Sequence, residues 1–405
     1  TTIDVSGYAA VQRMRQPFIA GLLIAAASVA FTVPSVAADS GWSELKSGQF
    51  VLRAPEGLDE FDLLACDAGR VATALSATNR SARRDVQPAI VAVGRERDTR
   101  ELLPQFWERR GLRPVGAYWS GPHGHHILVR VNTNPGERFR RILHEYAHFA
   151  THVSYSNPPP WLDEGLSELW TNSDVSADRI ELGRPVDKHL DTLRSAKTWI
   201  PIAELTSAVA LPEARDTDRV ELFYAEAWAL AHYLAIEKGL GVWGLPAEPT
   251  AAVLPTDEEL RQYVASNRLR TLEMAIDEPP AACQPGEVRQ LSEAETLLAK
   301  ARMLADGDRP DAALPMLREL LEQEPRNLDA LETLAYVHFR GNRPGDAAAA
   351  FDRVIAGGAA TFISYYYRAV LADAVPQRTN GAGPVPAAEY FAEAERLNPG
   401  FAAQQ

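Results

Sequence analysis

Two cysteines in 405 residues are too few for a scaffold held by disulfides, so the fold has to rest on apolar cores. Basic clusters are missing too. Lys and Arg number 41 against 54 Asp and Glu, a formal net charge of -13. Without concentrated positive charge to meet phosphates, this composition excludes nucleic acid as a partner, and the acidity mostly serves solubility. A long apolar run is absent as well. The stretch from Phe18 to Val33 has sixteen residues, fewer than the roughly 20 that a bilayer-spanning helix needs. What the chain does have is 46% hydrophobic residues, enough for one large or two ordinary cores.

The short apolar run follows Arg13 and Arg15 and ends in Pro34 and the small residues Ser35-Val36-Ala37. That is the pattern of a signal peptide over residues 1–37, with Met14 as an alternative start. It predicts a periplasmic or secreted protein with no stable membrane span after cleavage. In an oxidising compartment Cys66 and Cys283 are free to pair, although a small buried apolar role for Cys66 reads equally well.

The chemistry concentrates in two segments. His144-Glu145-Tyr146-Ala147-His148 lies in a run without proline or glycine, Ile142 to Ala150, as a mostly buried helix requires. Residues four apart share a helix face, so His144 and His148 can offer both imidazoles to one ion, and Glu145 can reach a water there as general base. After Pro158-Pro159-Pro160 comes Trp161-Leu162-Asp163-Glu164-Gly165-Leu166, with Glu164 sixteen residues past His148. Glu164 is the expected third ligand. Glu168, one turn on, is placed to accept the second ring N–H of a ligand histidine. His123, His125 and His126 do not converge on one ion at that spacing and read as surface or substrate-groove residues.

These two segments resemble the gluzincin metallopeptidases, in particular the peptidase MA-like proteins, and more distantly aminopeptidase N. The resemblance runs from about Trp42 to about Ala235 and takes in Trp119-Ser120-Gly121-Pro122, Leu182-Gly183-Arg184-Pro185 and Phe223-Tyr224-Ala225-Glu226-Ala227-Trp228. It implies Zn2+ held by His144, His148 and Glu164, with Glu145 as catalytic base. It further implies that Tyr224 stabilises an oxyanion, although Tyr224 also fits the apolar side of a core helix, as His232 does. The Gly-x-Met-Glu-Asn segment that holds a free amine in aminopeptidases is missing, so exopeptidase action is not implied. Glu168 stands where thermolysin-like relatives carry aspartate.

Strand-like runs at Gln49–Leu52, Ala89–Val93 and Ile127–Val131 alternate with helical patterns at Leu63–Leu75 and Asp98–Arg109. The last of those strands is expected to border the cleft. With the resemblance this gives an α+β zincin-type metallopeptidase domain over 38–277, then a proline-rich linker, 278–290. Behind it Ala301, Ala335 and Ala369 are 34 residues apart, as are Gly307 and Gly341, Pro310 and Pro344, and Ala313 and Ala347. That is the tetratricopeptide period. It predicts an all-α repeat domain over 291–401, two repeats plus a third whose inter-helix loop is stretched by residues 379–384, with its second helix at Ala387–Leu397.

The expected function is that of a zinc metallopeptidase acting on a peptide or protein substrate, with a repeat groove for a protein partner. The alternative is a catalytically inactive zincin-fold scaffold that recruits partners through its repeats. Nothing in the sequence excludes a third reading, zinc acting on a non-peptide amide such as a cell-wall crosslink.

Overall fold

The computed structural model describes residues 41–401 apart from 59, 80–85, 109–112, 132–133, 177, 213–215, 267, 277–285 and 377–384. The expected signal segment, Cys283, the front of the linker and the stretched loop lie outside the described residues. Cys66 is disulfide-bonded.

Six strands make the main sheet: β1 (Trp42–Lys46), β2 (Val51–Pro55), β3 (Pro88–Val93), β4 (Gly116–Gly121), β5 (Gly124–Arg130) and, out of sequence, β9 (Val288–Gln290). Their order is β4-β5-β3-β2-β1-β9. The three central strands, β2, β3 and β5, run parallel, and β4, β1 and β9 pair antiparallel to their neighbours. A parallel centre is covered on both faces, which is why β3 and β5 read as unbroken apolar runs. Ile90, Ala92, Ile127 and Val129 face one core, and Val91, Val93 and Leu128 face another. The cleft border expected of Ile127–Val131 is corrected here: β5 lies inside the sheet, and the edge strand is β4. Residues 288–290, expected within the linker, form the opposite edge.

The first core is built by α1 (Phe61–Thr78) and by helices described below. The helix expected over Asp98–Arg109 is two short ones, α2 (Glu96–Leu102) and α3 (Gln105–Glu108), interrupted at Pro104, which lacks an N–H to continue the ladder. Then come α4 (Pro135–Ser154) and α5 (Pro160–Thr171). The first is started by Asn134, whose side chain accepts the Glu137 N–H at 2.9 Å, with Pro135 as the first helical residue. A second sheet of β6 (Asp174–Val175), β7 (Arg179–Leu182) and β8 (Leu272–Ala275) lies beside α6 (Asp187–Ser195), α7 (Ile202–Ser207), α8 (Thr217–His232) and α9 (Asp257–Ala265) in the chain. Gly165 lets α5 and α8 pack closely: a Cβ there would stand 2.6 Å from the Ala227 carbonyl oxygen.

The C-terminal region is helical: α10 (Glu293–Asp306), α11 (Leu314–Gln323), α12 (Leu328–Arg340), α13 (Pro344–Ala356), α14 (Phe362–Val370) and α15 (Ala387–Leu397). The alanines spaced by 34 are all buried, and Ala301 and Ala335 share the repeat core with Ala313 and Ala347. The last helix has the bounds the repeat pattern predicts. α10 and the residue Leu291 before it also close the second face of the sheet, with Leu291, Ala299 and Met303 packed against Val91, Val93 and Leu128.

Candidate metal centre

α4 carries His144, Glu145 and His148, and these three bring ligand atoms within 4.8 Å of one another. Among the described residues no other group of His, Cys, Asp and Glu does so. The two Nε2 atoms converge at 3.2 Å. Their outer nitrogens fix which tautomer each ring holds. His148 Nδ1 lies 2.8 Å from Asp163 Oδ1, which can only accept. His144 Nδ1 lies 2.9 Å from Thr171 Oγ1, whose own proton goes to the Ser167 carbonyl. Both Nδ1 atoms therefore donate outward, and both Nε2 lone pairs point at each other. Such a pair is stable only with positive charge between the nitrogens, a proton or a metal ion.

The charges around the rings pull them apart. Burial alone lowers the His148 pKa, but Asp163 and Glu164 carry it up to about 10, whereas burial takes His144 down to about 4. Burial would raise the Asp163 pKa, but the two histidines bonded to it, His148 and His152, hold it well below the carboxylate range.

Glu164 arrives from α5, where Pro160 sets the first helical residue. Its Oε1 accepts the Tyr224 hydroxyl at 3.1 Å. Its Oε2 lies 3.6 Å from His148 Nε2 and is buried with no hydrogen-bond partner. Burial pushes this carboxyl up to about 8. A buried, unpartnered carboxylate oxygen beside a converging imidazole pair offers the kinds of donor that a divalent transition metal accepts. Glu145 belongs to the same close group, yet its carboxylate turns toward the sheet edge, where a Cβ on Gly116 of β4 would stand 2.4 Å from Oε1. Glu164 Oε2 thus lies beside the imidazole pair from α5, and Glu145 lies beside it from α4. Burial holds the Glu145 pKa up at about 7, close to neutrality, where a general base works best.

Glu168 does not take the place expected of it. Its Oε1 is 3.8 Å from His144 Nδ1, beyond hydrogen-bond reach, and its Oε2 accepts from His189 Nε2 at 2.9 Å. Thr171 holds the position instead. Asp163 and Thr171 are the outer partners that sequence reasoning left unassigned, although Thr171 lies seven residues beyond Glu164 and so on the same helix face. Tyr224 turns its hydroxyl into the site rather than into the core. His232 is a core histidine: Gly183 O and the Tyr263 hydroxyl satisfy its two nitrogens.

The histidine cluster before β5 divides. His125 Nδ1 bonds the Tyr118 hydroxyl at 2.8 Å, and the Tyr118 ring stacks beside His148 at 6.1 Å. His123 and His126 are not surface residues. Their side chains are buried against Asp306 of α10, at 2.7 and 2.8 Å. Their partner lies some 180 residues away, so no local pattern could have named it.

Among the described residues no helix is long and apolar enough to cross a membrane. Residues 303–365 match the family model described as Tetratricopeptide repeat, from the end of α10 into α14. No curated protein matches the chain. The C-terminal helices are thus tetratricopeptide-like, and repeats of that kind point to protein partners.

Proposed function

We propose that this chain is an exported zinc-dependent metallopeptidase with a repeat module that binds protein. The observation that carries the reading is the convergence of the His144 and His148 Nε2 lone pairs beside the unpartnered Glu164 Oε2, with Glu145 adjacent. His144, His148 and Glu164 would hold the zinc. When bound, the ion would supply Lewis acidity for a peptide carbonyl and lower the pKa of a water.

Glu145 takes a proton from the attacking water and passes it to the leaving amine. Its pKa near 7 suits both transfers. Asp163 and Thr171 hold the ring tautomers, and Tyr224 commits its O–H to orienting Glu164. An oxyanion role for Tyr224 requires it to leave that bond. β4, the end strand of the sheet among the described residues, offers an extended peptide a strand edge next to Glu145.

The scaffold alternative draws on the repeat match alone. The two readings separate in Glu145→Gln, measured with dye-labelled casein. The variant should keep its zinc and lose roughly a hundred- to ten-thousandfold in hydrolysis. Undiminished hydrolysis in that variant overturns the assignment of Glu145.

A further inference from the structure

Strand β4 is held from both sides. On the site side, Gly116 abuts the Glu145 carboxylate and Tyr118 stacks beside His148. On the other side, Trp119 Nε1 donates to the Met303 carbonyl of α10 at 3.0 Å. Beyond it, Gly121 leaves no room for a side chain, since a Cβ there would stand 2.3 Å from Asp306 Cγ. Asp306 then accepts three hydrogen bonds from the β4–β5 hairpin. Two come from the His123 backbone N–H at 3.2 Å and its Nδ1 at 2.7 Å, and the third from His126 Nε2 at 2.8 Å. The His123 ring also meets Tyr336 of α12 edge-on at 5.4 Å. A buried carboxylate with three donors converging on it from one hairpin is a clamp, since removing it leaves those donors unpaired.

We propose that Asp306 is a positioning residue for the candidate site: it fixes the β4–β5 hairpin to the first helices of the repeat module and so sets where Gly116 and Tyr118 stand beside Glu145 and His148. Edge strands have one pairing partner and follow whatever else grips them. Here the grip is on the repeats, so the module backs the strand along which a substrate would lie. The consequence for hydrolysis rests on the metallopeptidase reading; the consequence for the strand does not.

The test is Asp306→Asn in the full chain, followed by hydrogen exchange and by hydrolysis of dye-labelled casein. Asparagine can accept from one histidine but presents an N–H to the other, so the clamp opens while the volume stays. Backbone amides of β4 should exchange at least about tenfold faster, with β3 amides and the zinc content unchanged. The casein KM should rise about three- to tenfold with kcat within about twofold. Unchanged β4 exchange overturns the proposal. So does a uniform acceleration across β3 and α4, which would make the repeats a stabilising cap and nothing more. If Asp306→Asn does not fold, Trp119→Phe, which removes the bond to Met303 and trims the ring beside His126, must still loosen β4 selectively. A wild-type chain inert on casein counts against the peptidase reading, while hydrogen exchange still decides the clamp.

Discussion

Replacing Gly165 with alanine sets two effects of known size against each other. In a helix interior alanine is favoured over glycine by about 1 kcal/mol, so on propensity alone Gly165→Ala stabilises α5. The added methyl, however, would stand 2.6 Å from the Ala227 carbonyl oxygen and 3.0 Å from the Ala231 Cβ. Overpacking of this kind costs roughly 1–3 kcal/mol. Because the obstacle is backbone of α8 and cannot swing aside like a side chain, the upper half of that range applies, leaving a net loss of about 1–2 kcal/mol. The helices must part to admit the methyl, and the 3.1 Å bond between Tyr224 and Glu164 joins the same two helices. Zinc affinity should therefore fall with stability. Urea unfolding at constant m value measures the first and chelator competition the second. A variant as stable as the parent, or more so, would refute the close α5–α8 contact as the reason for glycine there.

Gly116→Ala should behave in the opposite way. Its Cβ meets the far end of the flexible Glu145 side chain, so unfolding should shift by less than about 1 kcal/mol while casein hydrolysis drops at least about tenfold with zinc retained. Glu226 tests the pH dependence of the fold. It is 1% exposed, accepts the Ile200 N–H at 2.9 Å, and is pushed up to about 8 by burial. A folded pKa above the usual 4.5 means that its contribution is fully present below about pH 4.5 and is lost as the pH rises through about 8. Glu226→Gln, which can still accept from Ile200, should match the parent near pH 4.5 and gain on it by about 1.4 kcal/mol per pH unit until about pH 8. Equal urea midpoints at both ends would contradict this.

The elements legible in the sequence are those whose cause is local. β3 and β5 announce themselves because a strand covered on both faces is apolar throughout, and α15 because the repeat period carries over to it. β1, β4 and β9 escape such reading. Gly116–Gly121 has the glycines and polar residues of an edge strand, and Val288–Gln290 owes its place to pairing with β1 more than 240 residues earlier. The site divides in the same way. His144, Glu145 and His148 share one helix face and are visible by spacing, whereas the roles of Thr171, Tyr118 and Asp306 depend on which elements the fold brings together. Glu168 shows how a correct helical phase can still misassign a partner: its carboxylate reaches the neighbourhood of His144 but finds His189 at closer range.

The proposed role of the two converging imidazoles and the orphaned carboxylate is to hold a metal. It is tested most directly by the zinc content of the purified chain after dialysis, beside that of His148→Ala. About one zinc per chain is expected, lost in the variant. A folded parent protein that neither retains zinc nor takes it up on remetallation would contradict it.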